Sequence, residues 1–276
     1  MNRALLMAVG ALLVASCALG APARRDVLLA TTTSFQDSGL LDVLAADFEK
    51  RTGYHLRSTA VGTGAALAIG ARGDADVVFV HAPEEELKFM DAGSGGRRVL
   101  VMHNDFVLVG PPGDPARIKG RDAITAFKTI AAAQATFISR GDNSGTDIFE
   151  QGLWRRAGIS PSGAWYVQAA TGMGQTLQIA SEKNAYTLAD RGTFLARRAG
   201  LRLEILVQRD PPLINVYHVI TVNPQRYPKT NTAGANAFAD YLVSPETQRL
   251  IGAFGVDKYG EQLFVPDAGK NESGLL

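Results

Sequence analysis

Four short stretches rich in glycine, serine and threonine hold the residues whose chemistry is most informative. The most distinctive covers 139–147, SRGDNSGTD, and combines one arginine with two glycines and several hydroxyl and amide side chains. It lies between ATFIS, which is typical of a strand, and IFEQGLWRRAG, which is typical of a helix. The first N–H groups of a helix lack intrahelical partners, and the helix dipole adds positive charge there. The stretch is therefore predicted to bind an anion.

The other three stretches occupy equivalent places in the chain. TTTS at 31–34 and GTG at 62–64 follow the first and second predicted strands, and TGMGQT at 171–176 lies between a strand and a helix. Ligands of open α/β sheets bind at the carboxyl ends of the strands. We therefore expect the four stretches to meet at one cleft.

Each stretch also has an ordinary structural explanation. Helix N-caps are the alternative for Ser34 or Asp37, for Thr63 and for Ser144. Arg140 could pair with Asp142 at the surface, where ion pairs contribute little. Asp147 and Glu150 are expected on a solvated helix face. A shared site is favoured because all four stretches place donors at the ends of predicted strands.

Catalytic and cation-binding motifs are not found in the sequence. GDNSG differs from the G-x-S-x-G nucleophile motif because Asp142 stands where glycine is required. GTGAAL lacks the third glycine of a dinucleotide fingerprint, and no Walker lysine is present. The histidines at 55, 81, 103 and 218 lack the spacing of a metal site. We therefore expect a binding protein, with no enzyme activity, no cofactor and no metal cation.

Residues 1–23 are predicted to form a secretory signal peptide. Arg3 precedes an apolar run from 4 to 15 that is too short for a comfortable membrane span. Cleavage after Gly20 or Ala23 would release the domain into the periplasm. Alternatively, VASC, which ends at Cys17, resembles a lipoprotein signal and would anchor the protein by a lipid on the extracytoplasmic face. Because Cys17 is the only cysteine, neither alternative gives the domain a disulfide or a free thiol.

The remaining chain is electrically balanced, with 27 basic and 27 acidic residues once Arg3 is set aside. This balance argues against a nucleic-acid surface, which needs a basic face. Apolar residues make up 46% of the chain, which supports a full core. A length of about 250 residues allows one large or two modest domains.

Strand and helix patterns alternate along the chain, which predicts an α/β fold with a mainly parallel sheet. NDFVLVGPP at 104–112 and PLINVYHVITVNP at 212–224 are predicted strands that link two regions. We expect 24–105 and 222–276 to form lobe one, and 106–221 to form an inserted lobe two. The two linking strands would act as a hinge, with the ligand cleft between the lobes.

Six motifs together are similar to those of a known family: TTTS, ADVVFVHA, SRGDNSGTD, MGQTL, SEKNAYTLADRGTF and NVYHVITVNP. Over most of its length after the leader, the chain resembles the tungstate-binding components of bacterial tungstate ABC transporters. The resemblance implies a type II periplasmic-binding-protein fold whose lobes close on an oxyanion and present it to a membrane permease. Asn143 and Asp147 depart from the aspartate and histidine that such relatives often carry.

The resemblance also implies a set of anion-binding residues. Lobe one would supply Thr32, Thr33, Ser34 and Thr63, and lobe two would supply Arg140, Ser144, Gly145 and Thr146. Arg140 would give a fork of N–H donors and the only full positive charge. Asp142 and Thr171 would lie next to the ligand. Asp142 could either orient Arg140 or accept a proton from a protonated ligand.

Several ligands remain open within this family resemblance. Tungstate and molybdate are nearly the same size and charge, so the sequence does not separate them. Phosphate or sulfate is the alternative within the same fold, and RGDNSGT also resembles the R-x-x-x-S-G-T turn of phosphate-binding proteins. An ester hydrolase, or a signalling or adhesive module with a vestigial site, is less favoured. A monomer is expected.

Overall fold

The computed structural model describes residues 25–275. Its strands are β1 Asp26–Thr32, β2 His55–Val61, β3 Val77–Val80, β4 Gly95–Gly110, β5 Phe137–Ser139, β6 Tyr166–Gln168, β7 Thr187–Asp190, β8 Glu204–Val207, β9 Ile214–Val222 and β10 Val265–Pro266. Its α-helices are α1 Thr33–Asp37, α2 Leu40–Thr52, α3 Thr63–Ala71, α4 Pro83–Asp91, α5 Ala123–Ala132, α6 Gly145–Arg156, α7 Met173–Glu182, α8 Arg191–Arg197, α9 Thr232–Val243, α10 Pro245–Ala253 and α11 Val256–Tyr259. The predicted signal peptide at 1–23, including Cys17, lies outside the described residues. Between 25 and 275, every helix is too short or too polar to span a bilayer.

The sequence of each helix explains where it begins and ends. In α2 the side chains of Leu40, Leu44 and Phe48 recur at helical spacing and are buried, and the helix ends at Gly53 with φ of +74°. In α4, Pro83 occupies the first turn together with three acidic residues, where the helix dipole favours them. Both predicted helices are confirmed.

The first sheet has the strand order β10-β4-β9-β3-β1-β2. β1 runs parallel to β2 and β3, whereas β9 runs antiparallel to β3 and β4, and β10 runs antiparallel to β4. The prediction of a mainly parallel sheet is therefore wrong. Parallel pairing follows the βαβ units near the start of the chain, and antiparallel pairing follows from two long strands that pass each other in opposite directions.

The long strand β4 is shared between two sets of partners. From Gly95 to Asp105 it pairs with β9, and from Phe106 to Gly110 it pairs with β7 and β8. The change of partner coincides with the predicted lobe boundary at 105/106. At the other crossing, β9 pairs only with β3 and β4, whereas the sequence division placed it in lobe two. We propose that the inserted lobe covers 106–213.

Lobe two has its own aromatic core and a small parallel pair of strands. β5 pairs with β6, and a single bridge joins Phe137 to Tyr186 next to β7. Phe127, Phe137 and Trp154 are fully buried there, and the rings of Phe127 and Trp154 meet edge to face at 4.4 Å. Such packing gives the β5–α6 loop, which carries the predicted anion site, a rigid base.

Candidate anion-binding site

The turn after β1 presents hydroxyl groups to the protein interior. Thr32 caps α1, and its Oγ1 accepts a hydrogen bond from the Phe35 N–H at 3.3 Å. Thr32 and Ser34 are buried, whereas Thr33 is partly exposed. The Phe35 ring packs edge to face on Phe79 at 4.8 Å, which anchors the turn to β3.

Thr63 occupies the corresponding position after β2. It is the first residue of α3, it is fully buried, and its Oγ1 has no hydrogen-bond partner within 25–275. A Cβ added at Gly62 would lie 3.8 Å from the Asn143 carbonyl oxygen, so this turn faces the β5–α6 loop of lobe two. Because a buried hydroxyl without a partner costs free energy, Thr63 is well placed to bind an external acceptor.

The β5–α6 loop holds Arg140 in a defined orientation. Gly141 and Asn143 have φ of +59° and +56°, a conformation that glycine and asparagine tolerate best. Asp142 Oδ2 accepts hydrogen bonds from Arg140 Nε at 3.1 Å and Nη2 at 2.5 Å, and its Oδ1 accepts from the Ser144 N–H at 3.1 Å. The Arg140 side chain is only 2% exposed. Of the alternatives for Asp142, this geometry corresponds to orienting Arg140.

A second carboxylate, Asp147, fixes the same loop from inside α6. Its Oδ1 accepts from the Gly141 N–H at 3.3 Å and from Ser139 Oγ at 3.5 Å, and its Oδ2 accepts from the Asn143 N–H at 2.9 Å. The expectation that Asp147 lies on a solvated helix face is therefore wrong. The side chain points back over the N-terminal end of α6 because backbone N–H groups of the loop need a hydrogen-bond acceptor there.

Glu150 also departs from the expected solvated face. It is 1% exposed, and its Oε1 accepts from Trp154 Nε1 at 3.0 Å and from the Tyr166 hydroxyl at 2.8 Å. Burial raises the pKa of Glu150 to about 7, although these two hydrogen bonds oppose the shift. The aromatic residues of lobe two surround the carboxyl group and provide its donors.

The N-terminal end of α6 lies directly against lobe one. A Cβ added at Gly145 would lie 2.7 Å from Thr63 Oγ1 and 2.8 Å from His81 Cε1, so only glycine fits without a shift. Thr146 is buried, and its Oγ1 has no hydrogen-bond partner in the described part of the chain. Ser144 is the N-cap, with Oγ accepting from the Asp147 N–H at 3.3 Å. The structure thus brings Gly145 to Thr63, and Ser144 to the neighbouring Gly62.

His81, which follows β3, joins these two groups of residues. Its Nε2 lies 3.2 Å from Thr32 Oγ1 and 3.3 Å from Ser34 Oγ, and its Nδ1 lies 3.0 Å from Asn215 Oδ1. Asn215 in turn donates through Nδ2 to Asn104 Oδ1 at 2.7 Å. Sequence reasoning missed this chain of contacts. The signal was available, because ADVVFV also ends at the sheet edge where the four stretches were placed.

Two further ionisable groups are buried in this interior, the guanidinium group of Arg140 and the carboxyl group of Asp190. Burial, together with the positive charge of Arg140, lowers the pKa of His81 to about 4, so the imidazole is neutral at pH 7. Burial raises the pKa of Asp190, whose Oδ1 accepts from the Thr193 N–H at 2.8 Å. Its Oδ2 has no partner among the described residues. Asp190, like His81, was not predicted.

Thr171, which was predicted to lie next to the ligand, hydrogen-bonds within its own segment. It is partly exposed between β6 and α7, and its carbonyl accepts from Thr176 Oγ1 at 3.4 Å. The nearby Ala169 N–H donates to the Ser139 carbonyl at 2.9 Å, which places this segment beside the β5–α6 loop. Its role next to the ligand stays a prediction. In the described range 25–275, no group of three or more His, Cys, Asp or Glu residues could hold a metal ion.

Comparison with known proteins identifies the family. Residues 19–246 match the model of a periplasmic-binding-protein (PBP) superfamily domain. The chain is 48% identical over 251 residues to the tungstate-binding protein TupA of Peptoclostridium acidaminophilum, covering 90% of this chain and 88% of that protein. It belongs to the TupA family of tungstate-binding proteins. The family resemblance predicted from six sequence motifs is confirmed.

Solved structures of similar proteins confirm the α/β periplasmic-binding-protein fold. The tungstate-binding protein TupA from Desulfovibrio alaskensis G20 is 46% identical, with a TM-score of 0.77 over 88% of this chain and 99% of that chain. The structure described as the tungstate ABC transporter from Geobacter sulfurreducens is 47% identical, with the same TM-score over 84% of this chain and all of that chain. The type II periplasmic-binding-protein fold expected for a TupA family member is therefore correct.

Proposed function

We propose that this protein captures tungstate outside the cytoplasmic membrane and delivers it to the permease of an ABC transporter. The observation that carries the proposal is the close approach of Gly145, the first residue of α6, to Thr63 of lobe one. The buried hydroxyl groups of Thr63 and of Thr146, the residue after Gly145, have no hydrogen-bond partner in the described chain. The similarity to the tungstate-binding protein TupA of Peptoclostridium acidaminophilum and to the solved structures of a tungstate-binding protein and of a tungstate ABC transporter supports the choice of ligand.

The proposed donors suit a dianion with four acceptor oxygens, as tungstate is near neutral pH. They are the hydroxyl or backbone N–H groups of Thr32, Thr33, Ser34, Thr63, Ser144, Gly145 and Thr146, together with the guanidinium group of Arg140. Hydrogen bonds to charged groups contribute about 1.5–3 kcal/mol each. Roughly six to eight of them would outweigh the lost freedom of the ligand and reach about −12 kcal/mol, which is nanomolar affinity.

Asp142 favours a fully deprotonated anion over phosphate. Phosphate near neutral pH carries at least one proton, and its site needs an acceptor for that proton. Asp142 Oδ2 accepts two hydrogen bonds from Arg140 and Oδ1 accepts one from the Ser144 N–H, so we propose that this carboxylate orients Arg140 and is not directed at a ligand proton. Tungstate, molybdate and sulfate make no such demand, so the proposed order of affinity places phosphate last.

Calorimetric titration of the purified protein with tungstate, molybdate, sulfate and phosphate tests the proposal. Tungstate should bind with nanomolar Kd, molybdate is the closest competitor, and phosphate should bind at least a thousandfold more weakly. Phosphate binding as tight as tungstate binding would show that the anion is wrong. No heat and no thermal shift with any of the four anions would contradict the receptor function itself.

Delivery to a permease requires that the ligand change the shape of the protein. The lobes are joined through β4 and β9, so we propose that tungstate stabilises a hinge-closed form in which Gly145 packs on His81 and Thr63. X-ray scattering should then report a smaller radius of gyration with tungstate, and the melting temperature should rise with ligand concentration. An unchanged radius and melting temperature at saturating anion would contradict ligand-driven closure.

A hydrolase is the second candidate, because one contact pattern favours it. Ser34 Oγ, His81 and Asn215 Oδ1 form a hydroxyl–imidazole–amide series at 3.3 and 3.0 Å, which resembles a nucleophile, base and orienting group. However, Nε2 is shared with Thr32, and α6 packs against the ring at Gly145. Labelling with a fluorophosphonate probe distinguishes the candidates. The receptor proposal predicts no labelling of Ser34, and stoichiometric labelling would support the enzyme.

We further propose export through the predicted leader and function as a monomer. The intact mass of the protein isolated from its native cells, from membrane and soluble fractions alike, separates the two processing alternatives, since a lipid on Cys17 adds a large, defined mass. Light scattering on the purified protein tests the monomer, and a concentration-independent dimer would contradict it.

A further inference from the structure

His81 contacts the proposed anion donors of both lobes. In lobe one its Nε2 is shared between Thr32 Oγ1 and Ser34 Oγ, at 3.2 and 3.3 Å. From lobe two, Gly145 packs so closely that an added Cβ would lie 2.8 Å from the ring. The side chain is buried, at 4% exposure, and is therefore part of the interior that closes around the ligand.

The partners of His81 define which ring nitrogen carries the proton. Asn215 donates through Nδ2 to Asn104 Oδ1 at 2.7 Å and to the Tyr217 hydroxyl at 3.3 Å, so its Oδ1 faces His81. An amide oxygen only accepts hydrogen bonds, and Nδ1 must therefore carry the proton. In the neutral ring, Nε2 is then an acceptor. It draws the hydroxyl hydrogen of Thr32 or Ser34 toward itself and away from an anion.

Protonation of Nε2 reverses this arrangement. The imidazolium donates to the hydroxyl oxygens, and the hydroxyl hydrogens of Thr32 and Ser34 can both point to the oxygens of a ligand. The ring also adds a positive charge close to a dianion. We propose that tungstate binding is coupled to the uptake of one proton by His81, which turns the hydroxyl groups of Thr32 and Ser34 toward the anion. This inference rests on the proposed function.

The charged groups around His81 set its pKa and therefore determine when the ring takes up a proton. Without an anion, burial and the charge of Arg140 keep the pKa of His81 at about 4, so the ring is neutral at pH 7. A dianion beside Arg140 reverses the local field and raises the pKa. The negative charge of Asp142 partly offsets the positive charge of Arg140. Asp190 and Tyr217 are buried in the same interior, and they interact electrostatically with each other.

Acidic residues of α4 also lie near the ring. Glu84 and Glu85 line a cavity of about 230 Å³ together with His81, Ile148 and Phe149. Glu86 points away, since its Oε2 pairs with Arg98 at 2.9 Å and its Oε1 accepts from the Ala82 N–H. The group most able to imitate the predicted proton uptake is Glu150, whose pKa of about 7 would also rise near an anion. Glu150→Gln is therefore the matched control.

Calorimetry in buffers with different ionisation enthalpies counts the protons. Tungstate is titrated at pH 7.5 into the parent, His81→Gln and Glu150→Gln proteins in Tris, HEPES and PIPES. We expect uptake of 0.5 to 1 proton in the parent and in Glu150→Gln, roughly the stoichiometry of one titrating group. We expect none in His81→Gln. The parent Kd should rise with pH from 6.5 to 8.5 by the same proton number, up to about tenfold per unit.

The results separate this inference from the proposed function. Tungstate binding without proton uptake overturns the His81 inference alone, as does uptake that persists in His81→Gln and disappears in Glu150→Gln. Absence of tungstate binding by the parent contradicts the proposed function first.

A spectroscopic measurement keeps the inference testable if His81→Gln does not fold. The sequence has four histidines, so ¹⁵N-histidine labelling of the parent gives a simple spectrum. Nitrogen shifts report protonation and tautomer directly. At pH 7.5 the free protein should show His81 neutral with the proton on Nδ1, and the tungstate complex should show both nitrogens protonated. A neutral His81 in the complex overturns the inference.

Discussion

Replacing Arg140 by alanine tests the anion site most directly. Two of the five N–H donors of the guanidinium group go to Asp142 Oδ2, which leaves about three for a ligand. The side chain is 2% exposed and Asp142 is 20% exposed, so the contact is shielded from water. Removing such a buried charged donor costs about 2–5 kcal/mol of binding free energy. We therefore expect the Kd for tungstate to rise by about thirtyfold to several thousandfold.

Calorimetry on Arg140→Ala, Arg140→Lys and Arg72→Ala gives the decisive comparison. Arg72 pairs with Asp74 at 2.8 Å in the same Arg-Gly-Asp order, but its side chain is 59% exposed and lies outside the proposed site. Arg72→Ala should bind tungstate as the parent does. Lysine at 140 should recover only part of the affinity, since it keeps the charge and loses the fork. Parent-like tungstate binding by a folded Arg140→Ala protein would refute the placement of the site.

Three further substitutions test the surroundings of Arg140. Gly145→Ala should weaken tungstate binding by about 1–3 kcal/mol through its contact with Thr63 and His81, whereas Gly152→Ala on the same helix should not; equal calorimetric Kd values would contradict this. Asp142→Asn should weaken tungstate binding because Arg140 loses its charged acceptor; tighter tungstate binding, with measurable phosphate binding by the parent, would favour phosphate. Glu150 has a raised pKa, so its stabilising contribution is complete below pH 4.5 and is lost as pH rises through about 7. Glu150→Gln should remove up to about 3 kcal/mol of that decline in urea unfolding free energy, and an unchanged pH profile would contradict the buried carboxyl.

The sequence was sufficient to predict the elements that form the site, because each has a local signal. The α2 pattern ends at a glycine with positive φ, and α3 and α6 each begin within a predicted Gly-rich stretch. A strand over 104–112 was predicted from its apolar run, and it corresponds to the second part of β4, where the pairing partner changes. These features depend on neighbouring residues only, and local propensity was enough to place them.

The sequence did not predict the antiparallel pairing of the long strands, the full length of β4 or the strand β7. β4 continues from Gly95 to Gly110, although 95–103 contains two arginines and two glycines. β7 has only four residues and directly precedes α8. Its residues lie within SEKNAYTLADRGTF, which was interpreted as a family motif and not as a strand. Antiparallel pairing of β4 and β9 depends on residues more than 100 positions apart, which no local period reports.

Burial of polar residues was the main feature that local pattern could not supply. Asp147 and Glu150 occupy helical positions that are polar in the sequence, and a polar position in a helix normally faces water. Here Asp147 accepts from backbone N–H groups of the preceding loop, and Glu150 accepts from Trp154 and Tyr166. Glu150 is buried and Asp147 is partly buried, and the aromatic core and the loop respectively supply donors that water would otherwise provide.

The two Arg-Gly-Asp segments of the chain show why a site cannot be inferred from such a motif alone. At 72–74 and at 140–142 the glycine has a positive φ, of +75° and +59°, and the arginine hydrogen-bonds to the aspartate two residues later. Local sequence therefore predicts the ion pair equally well in both places. The first segment follows a helix at the surface, where both side chains are more than half exposed. The second follows a strand and precedes a helix that packs on the other lobe through Gly145, and its arginine is almost fully buried. A charge that water screens in one segment is buried close to His81 in the other, and of the two arginines this difference in environment makes Arg140 the candidate for binding an anion.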